Sequence, residues 1–162
     1  MQTSLTEESP NSSVSPTVPA LRNGALFACI AVFSLAGVIV SGISLQRHFA
    51  KSATEFCDFS QRFSCDVVNR SEYSSIMGIP VAGIGVAGYA FLLLMATLWR
   101  GRSETPIRLL SAAIAGLAFA LYLTYIEGYV LTTWCILCLI SLLLIALICL
   151  FAIAVKVKGT RA

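Results

Sequence analysis

Cys135 and Cys138 stand three positions apart in the stretch Trp134-Cys135-Ile136-Leu137-Cys138, at the lip of a long apolar run. Thiols at that spacing share one face of a helix and can join in a disulfide without large movement. A helix N-terminus carries partial positive charge and unpaired N–H groups, and both favour a thiolate, the form that attacks disulfides. Thr132 and Thr133, just upstream, are candidate helix caps. Cys57 and Cys65 form a second pair with seven residues between them. On one continuous helix they would stand about 12 Å apart, at about 1.5 Å rise per residue, which is too far for a disulfide. Either the intervening chain bends to join them, or each finds another partner, or both happen in turn. Zinc is the other common use of four cysteines, but structural zinc sites place two to four residues between paired ligands. The gap from Cys57 to Cys65 is longer, so no metal is expected.

These side chains have to be positioned by elements with an unusual composition. Of the 162 residues, 57% are hydrophobic and 12% charged, against roughly 25% charged in soluble domains. The apolar residues fall in four blocks, 24–45, 79–99, 107–126 and 134–155. Each is near the ~20 residues that cross a bilayer as helix, and none carries the polar stripe of a soluble bundle. The expected fold is an all-α integral membrane protein, a four-helix bundle with a long outer loop between spans one and two. Residues 1–23, rich in Ser, Thr and Pro, read as a disordered tail, 24–155 as the four-span domain and 156–162 as a basic tail.

Four spans put both termini on one side. Arg22, Arg100, Arg102, Arg108, Lys156, Lys158 and Arg161 fall there, against Arg47, Lys51, Arg62 and Arg70 on the other. Seven against four places the termini in the cytoplasm. Cys57, Cys65, Cys135 and Cys138 then share the outer face, where disulfides persist. Cys138 lies about 4.5 Å deeper than Cys135 at helical rise, so one thiol faces water while the other faces lipid depth. That suits electron transfer between a water-side protein and a lipid-soluble carrier. The +3 net charge follows from the same asymmetry and does not point to nucleic acid.

A loop pair with seven residues between, followed by a CxxC at the outer end of the fourth span, resembles the vitamin K epoxide reductase family, its bacterial branch above all. The stretch 63–80, FSCDVVNRSEYSSIMGIP, and the Gly-rich segment with Tyr89 after it carry the same resemblance, which covers about residues 24–151. The resemblance implies that Cys138 reduces a quinone and Cys135 resolves it. It implies that Cys65 relays electrons to Cys135, and that Cys57 exchanges with a thioredoxin-fold partner. It places Ser71 near the quinone ring, as a hydroxyl that would hydrogen-bond a ring oxygen as charge develops there, and Trp134 is expected to shape the same pocket. The alternative for Ser71 is a turn or helix cap.

Two departures narrow the substrate. The animal enzymes hold vitamin K with an Asn and a Tyr, whereas this chain has no Asn after Asn69, and Leu142 stands four residues after Cys138. A plain quinone, ubiquinone or menaquinone, is therefore the expected acceptor. Many bacterial members carry a fused thioredoxin domain. With the sequence ending at Ala162, the partner is expected to be a separate protein outside the bacterial cytoplasmic membrane. The implied activity is quinone-dependent oxidation of that partner, in support of disulfide formation in exported proteins. The competing reading is a non-enzymatic four-span protein with a static disulfide or zinc site on its outer face. Among other residues, small side chains at Gly83, Gly85, Gly88, Ala112, Gly116 and Ala120 are expected to allow close helix packing. His48 is expected at the interface, Glu127 in the short outer loop near the CxxC, and the step 78–80 at the end of a short loop helix.

Overall fold

A computed structural model describes residues 19–49, 68, 71, 74–76, 78–99 and 104–160. Four helices carry it: α1 (Pro19–Phe49), α2 (Val81–Thr97), α3 (Thr105–Ile126) and α4 (Ile136–Thr160). Between α1 and α2, strands β1 (Ser75–Ile76) and β2 (Ile79–Pro80) pair antiparallel, Ser75 with Pro80 and Ile76 with Ile79. A π-helical turn, Glu127–Leu131, joins α3 to the approach to α4. Gly24–Phe49, Thr105–Leu131 and Ile136–Lys158 are long and apolar enough to cross a membrane. The fourth apolar helix, α2, is shorter, with 17 residues.

Helix α1 runs past its apolar block at both ends and α4 at its C-terminal end, because hydropathy marks where oil begins, not where hydrogen bonding begins. So α1 starts at Pro19, ahead of Gly24, and extends through Arg47 and His48 to Phe49. One local expectation is corrected. The 78–80 step does not close a helix; it is the turn and second strand of a two-stranded hairpin. Gly78 takes φ +83°, a left-handed conformation that glycine adopts without a Cβ penalty. Pro80, extended at φ −63° and ψ 131°, then caps α2 from outside rather than sitting in its first turn.

A Cβ on Gly85 would lie 2.9 Å from the Ser41 hydroxyl, and one on Gly37 would collide with the Tyr89 ring. As the α1 position advances, its α2 partner retreats, so the two helices are antiparallel and nearly touching. Phe33 of α1 stacks on Phe151 of α4, ring centroids 5.7 Å apart. Gly116 of α3 faces Ile145 of α4. Gly88 departs from the close-packing expectation, since nothing lies within 4 Å of where its Cβ would be.

The buried core gathers at one end of the bundle. Phe27 and Ile30, Met95 and Ala96, Leu109 and Ala113, and Ile148, Ala152 and Val155 interlock there. Outward-facing positions carry large apolar side chains such as Val32, Leu121, Leu143 and Leu150, all exposed, the surface a hydrocarbon solvent favours.

The Gly37–Tyr89 contact sets a packing test. Gly37→Ala should lower the thermal unfolding midpoint in detergent, at an overpacking cost of about 1–3 kcal/mol. Gly42→Ala, where the added methyl meets nothing within 4 Å, should leave the midpoint unchanged or slightly raised. Equal midpoints for both variants would mean that α1 and α2 are not this close.

Candidate functional site

At the end opposite that core, the bundle opens into a cavity of about 360 Å³. Its wall is mostly apolar, including Phe91, Phe119, Leu123 and Ile145, with a few polar groups: Ser41, Ser44, His48, Ser71, Ser74, Tyr89, Glu127, Cys138 and Ser141. Small-molecule sites commonly combine about 300–1,000 Å³ of apolar space with a small number of placed polar atoms. Gly88 lines this cavity, which explains why no neighbour fills the space above it. Tyr89 crosses from α2 to α4, its hydroxyl 2.7 Å from the Ser141 carbonyl and 3.0 Å from the Ser141 hydroxyl.

The Cys135–Cys138 segment sits where the sequence expects it, with one difference in exposure. Cys135 immediately precedes α4 and acts as its cap, its carbonyl accepting the Leu139 N–H at 3.1 Å. Cys138 is the third residue of α4 and lines the cavity. Cys135 is 0% exposed, covered by Val68 and packed with Leu131 and Leu137. A water-facing Cys135 is therefore corrected: a residue of the loop before α2 closes over it. Thr132 and Thr133 do not cap α4 either. Both hydroxyls donate to the Leu131 carbonyl, at 2.8 and 3.1 Å.

What organises this corner is Glu127. The π-helical turn widens the backbone by one residue, and the N–H groups of Thr132 and Thr133 both donate to the Glu127 carbonyl. Thr132, at φ 48°, then reverses the chain. Gly128 makes room for the Trp134 indole, which would lie 3.2 Å from a Cβ there. Tyr125 and Tyr129 stack along the outside of the joint, 4.7 Å between centroids. The result turns the Glu127 side chain inward, 2% exposed. Its carboxylate accepts the Cys135 N–H at 3.2 Å and a hydrogen bond from the Cys138 side chain.

Of the other residues expected at the site, Ser71 lines the cavity, but its hydroxyl donates to the Val68 carbonyl at 2.8 Å. Its one proton is thus engaged in the turn. Trp134 packs on Gly128 and is not among the residues lining the cavity. Cys57 and Cys65 lie outside the described residues. Among the described residues, no group of three or more His, Cys, Asp or Glu side chains could hold a metal. Glu127 was legible as the only acidic residue after Glu104, but its inward turn depends on the π-helical joint, which has no signature in hydropathy.

A lipid-facing helical bundle with a closely spaced cysteine pair at an apolar cavity has the makings of a membrane oxidoreductase. The vitamin K epoxide reductase family model matches residues 28–153. That is most of the chain, and the chain belongs to this family.

The burial difference has a direct readout. In reduced protein, N-ethylmaleimide should modify Cys138 faster than Cys135, as followed by peptide mass spectrometry. The reverse order would mean that the Val68 cover over Cys135 is not in place.

Proposed function

We propose that this protein is a quinone-dependent thiol oxidoreductase that oxidises a separate thioredoxin-fold protein. The observation that carries the reading is Cys138 at the wall of the apolar cavity, three residues from Cys135. A flat, apolar quinone ring suits that space, with ubiquinone and menaquinone both eligible. Tyr89, Ser71 and Ser141 offer hydroxyls at the wall, and Ser71 would have to release the Val68 carbonyl to donate to a ring oxygen.

In this reading the partner's dithiol is oxidised by exchange with a disulfide involving Cys57. Electrons then pass by thiol–disulfide exchange through Cys65 to Cys135 and on to Cys138. Each cycle converts one dithiol and one quinone into one disulfide and one hydroquinone, so two electrons and two protons leave sulfur and arrive at oxygen. The oxidised partner can then install disulfides in exported proteins. All four apolar helices span the bacterial cytoplasmic membrane, with residues 24–155 as the catalytic domain. Both termini face the cytoplasm, by the Lys and Arg count, and both cysteine pairs face outward.

Quinone reduction by the purified protein in detergent, with a reduced dithiol as donor, tests this directly. Wild type should turn over and Cys138→Ala should not. Cys65→Ser should accumulate a mixed disulfide between Cys57 and the partner, visible on a non-reducing gel. Folded wild type that reduces neither ubiquinone nor menaquinone would defeat the proposal and turn attention to a static disulfide or zinc site.

A further inference from the structure

Glu127 anchors the joint before α4 through the Cys135 N–H, and its carboxylate is buried at the wall of the cavity that Cys138 also lines. An isolated carboxylate placed among apolar side chains is strongly disfavoured unless hydrogen bonds replace its water. Here two donors do so, the Cys135 N–H and the Cys138 side chain. One is fixed backbone, while the other is a thiol whose proton can leave. The π-helical turn that sets Glu127 in place is a rare element, found often at functional sites. Chemistry at Cys138 requires its thiolate, and the Glu127 carboxylate is the acceptor closest at hand for the thiol's proton.

We propose that Glu127 is the base that takes the Cys138 proton. This rests on the proposed function for its purpose, though the proton pairing itself does not require a quinone. The proton moves from Cys138 Sγ to a Glu127 carboxylate oxygen, leaving a thiolate and a neutral carboxyl group. In the full cycle Glu127 passes that proton on to the reduced ring and returns to carboxylate, so it changes neither the electron nor the net proton count. The Cys135 N–H, still donating to the side chain, keeps it aimed at Cys138 in both states. Among the described residues, the other titratable groups around it are Cys135 beside it on the approach to α4, His48 of α1 and Tyr89 of α2, which line the same cavity. Charged Lys, Arg and Asp side chains are absent from the described lining.

The test is the pH dependence of Cys138 alkylation by iodoacetamide in the reduced protein, by peptide mass spectrometry, for wild type and Glu127→Gln. The amide preserves shape and can still accept the Cys135 N–H, but cannot take a proton. Wild type should hold a plateau from about pH 6 to 8, below the ordinary thiol range near 8.5. Glu127→Gln should lose the plateau and rise about tenfold per pH unit, leaving it at least about tenfold slower near pH 6.5. Equal or faster alkylation in Glu127→Gln at that pH would overturn the proposal, since the carboxylate would then only be holding the thiol protonated. Loss of the plateau on replacing His48 instead would assign the proton to the imidazole and also overturn it. Should Glu127→Gln fail to fold, the wild-type profile decides: a plateau supports the base, a tenfold rise per unit refutes it. Quinone turnover separates the two proposals. A Glu127-dependent plateau without quinone reduction by wild type would leave the proton pairing standing and remove the functional reading.

Discussion

Removing the Glu127 carboxylate from water costs several kcal/mol unless its oxygens are hydrogen-bonded. The local backbone is arranged around that requirement. A regular α-helical turn after Ile126 is replaced by a wider one, Thr132 adopts a left-handed conformation, and Cys135 presents its N–H to the carboxylate. The same bond helps fix the start of α4, because the residue whose N–H reaches Glu127 is also the one whose carbonyl receives the first bond of that helix. The CxxC is thus tied to α3 as well as to its own helix. Anything that moves the joint moves both thiols.

A bundle with an internal cavity gives up packing somewhere, and here the loss is confined to one end. Core residues from all four helices interlock at the end near the chain termini, while Gly88 and the serines of α1 leave space at the other. Near-contact between α1 and α2 at Gly37 and Gly85 lies between these regions. A solid end and a hollow end joined by tightly apposed helices give a cavity with stiff walls, which suits the proposed meeting of the Cys138 thiol and a quinone ring.

Hydropathy alone made four helices readable, with ends a few residues short where Arg47, His48 or Lys158 continue a helix beyond its oil. The CxxC at the start of α4 was legible because the spacing and the apolar run are both local. The rest depended on tertiary structure. The hairpin before α2 follows from one glycine conformation. The burial of Cys135 follows from Val68, a residue far away in sequence. The inward turn of Glu127 follows from a π-helical joint that no periodicity announces. The threonines before Cys135 look like caps in sequence and bond Leu131 instead, since the helix starts later and Cys135 itself holds the cap position.

In the proposed four-span arrangement, α2 is the shortest of the four spans. Its 17 residues cover about 25 Å at 1.5 Å each, against a hydrocarbon core of about 30 Å. Exposed Ile79 just before it, and exposed Leu98 and Trp99 just after it, are apolar and make up the shortfall. The hydrophobic belt on this side therefore ends in a hairpin at one edge and a turn at the other, rather than in helix. Thickening the bilayer would draw those two non-helical edges into hydrocarbon, where unpaired backbone groups are costly. Sensitivity to lipid chain length is thereby concentrated on the face beside the cavity, while α1, α3 and α4 have helix to spare.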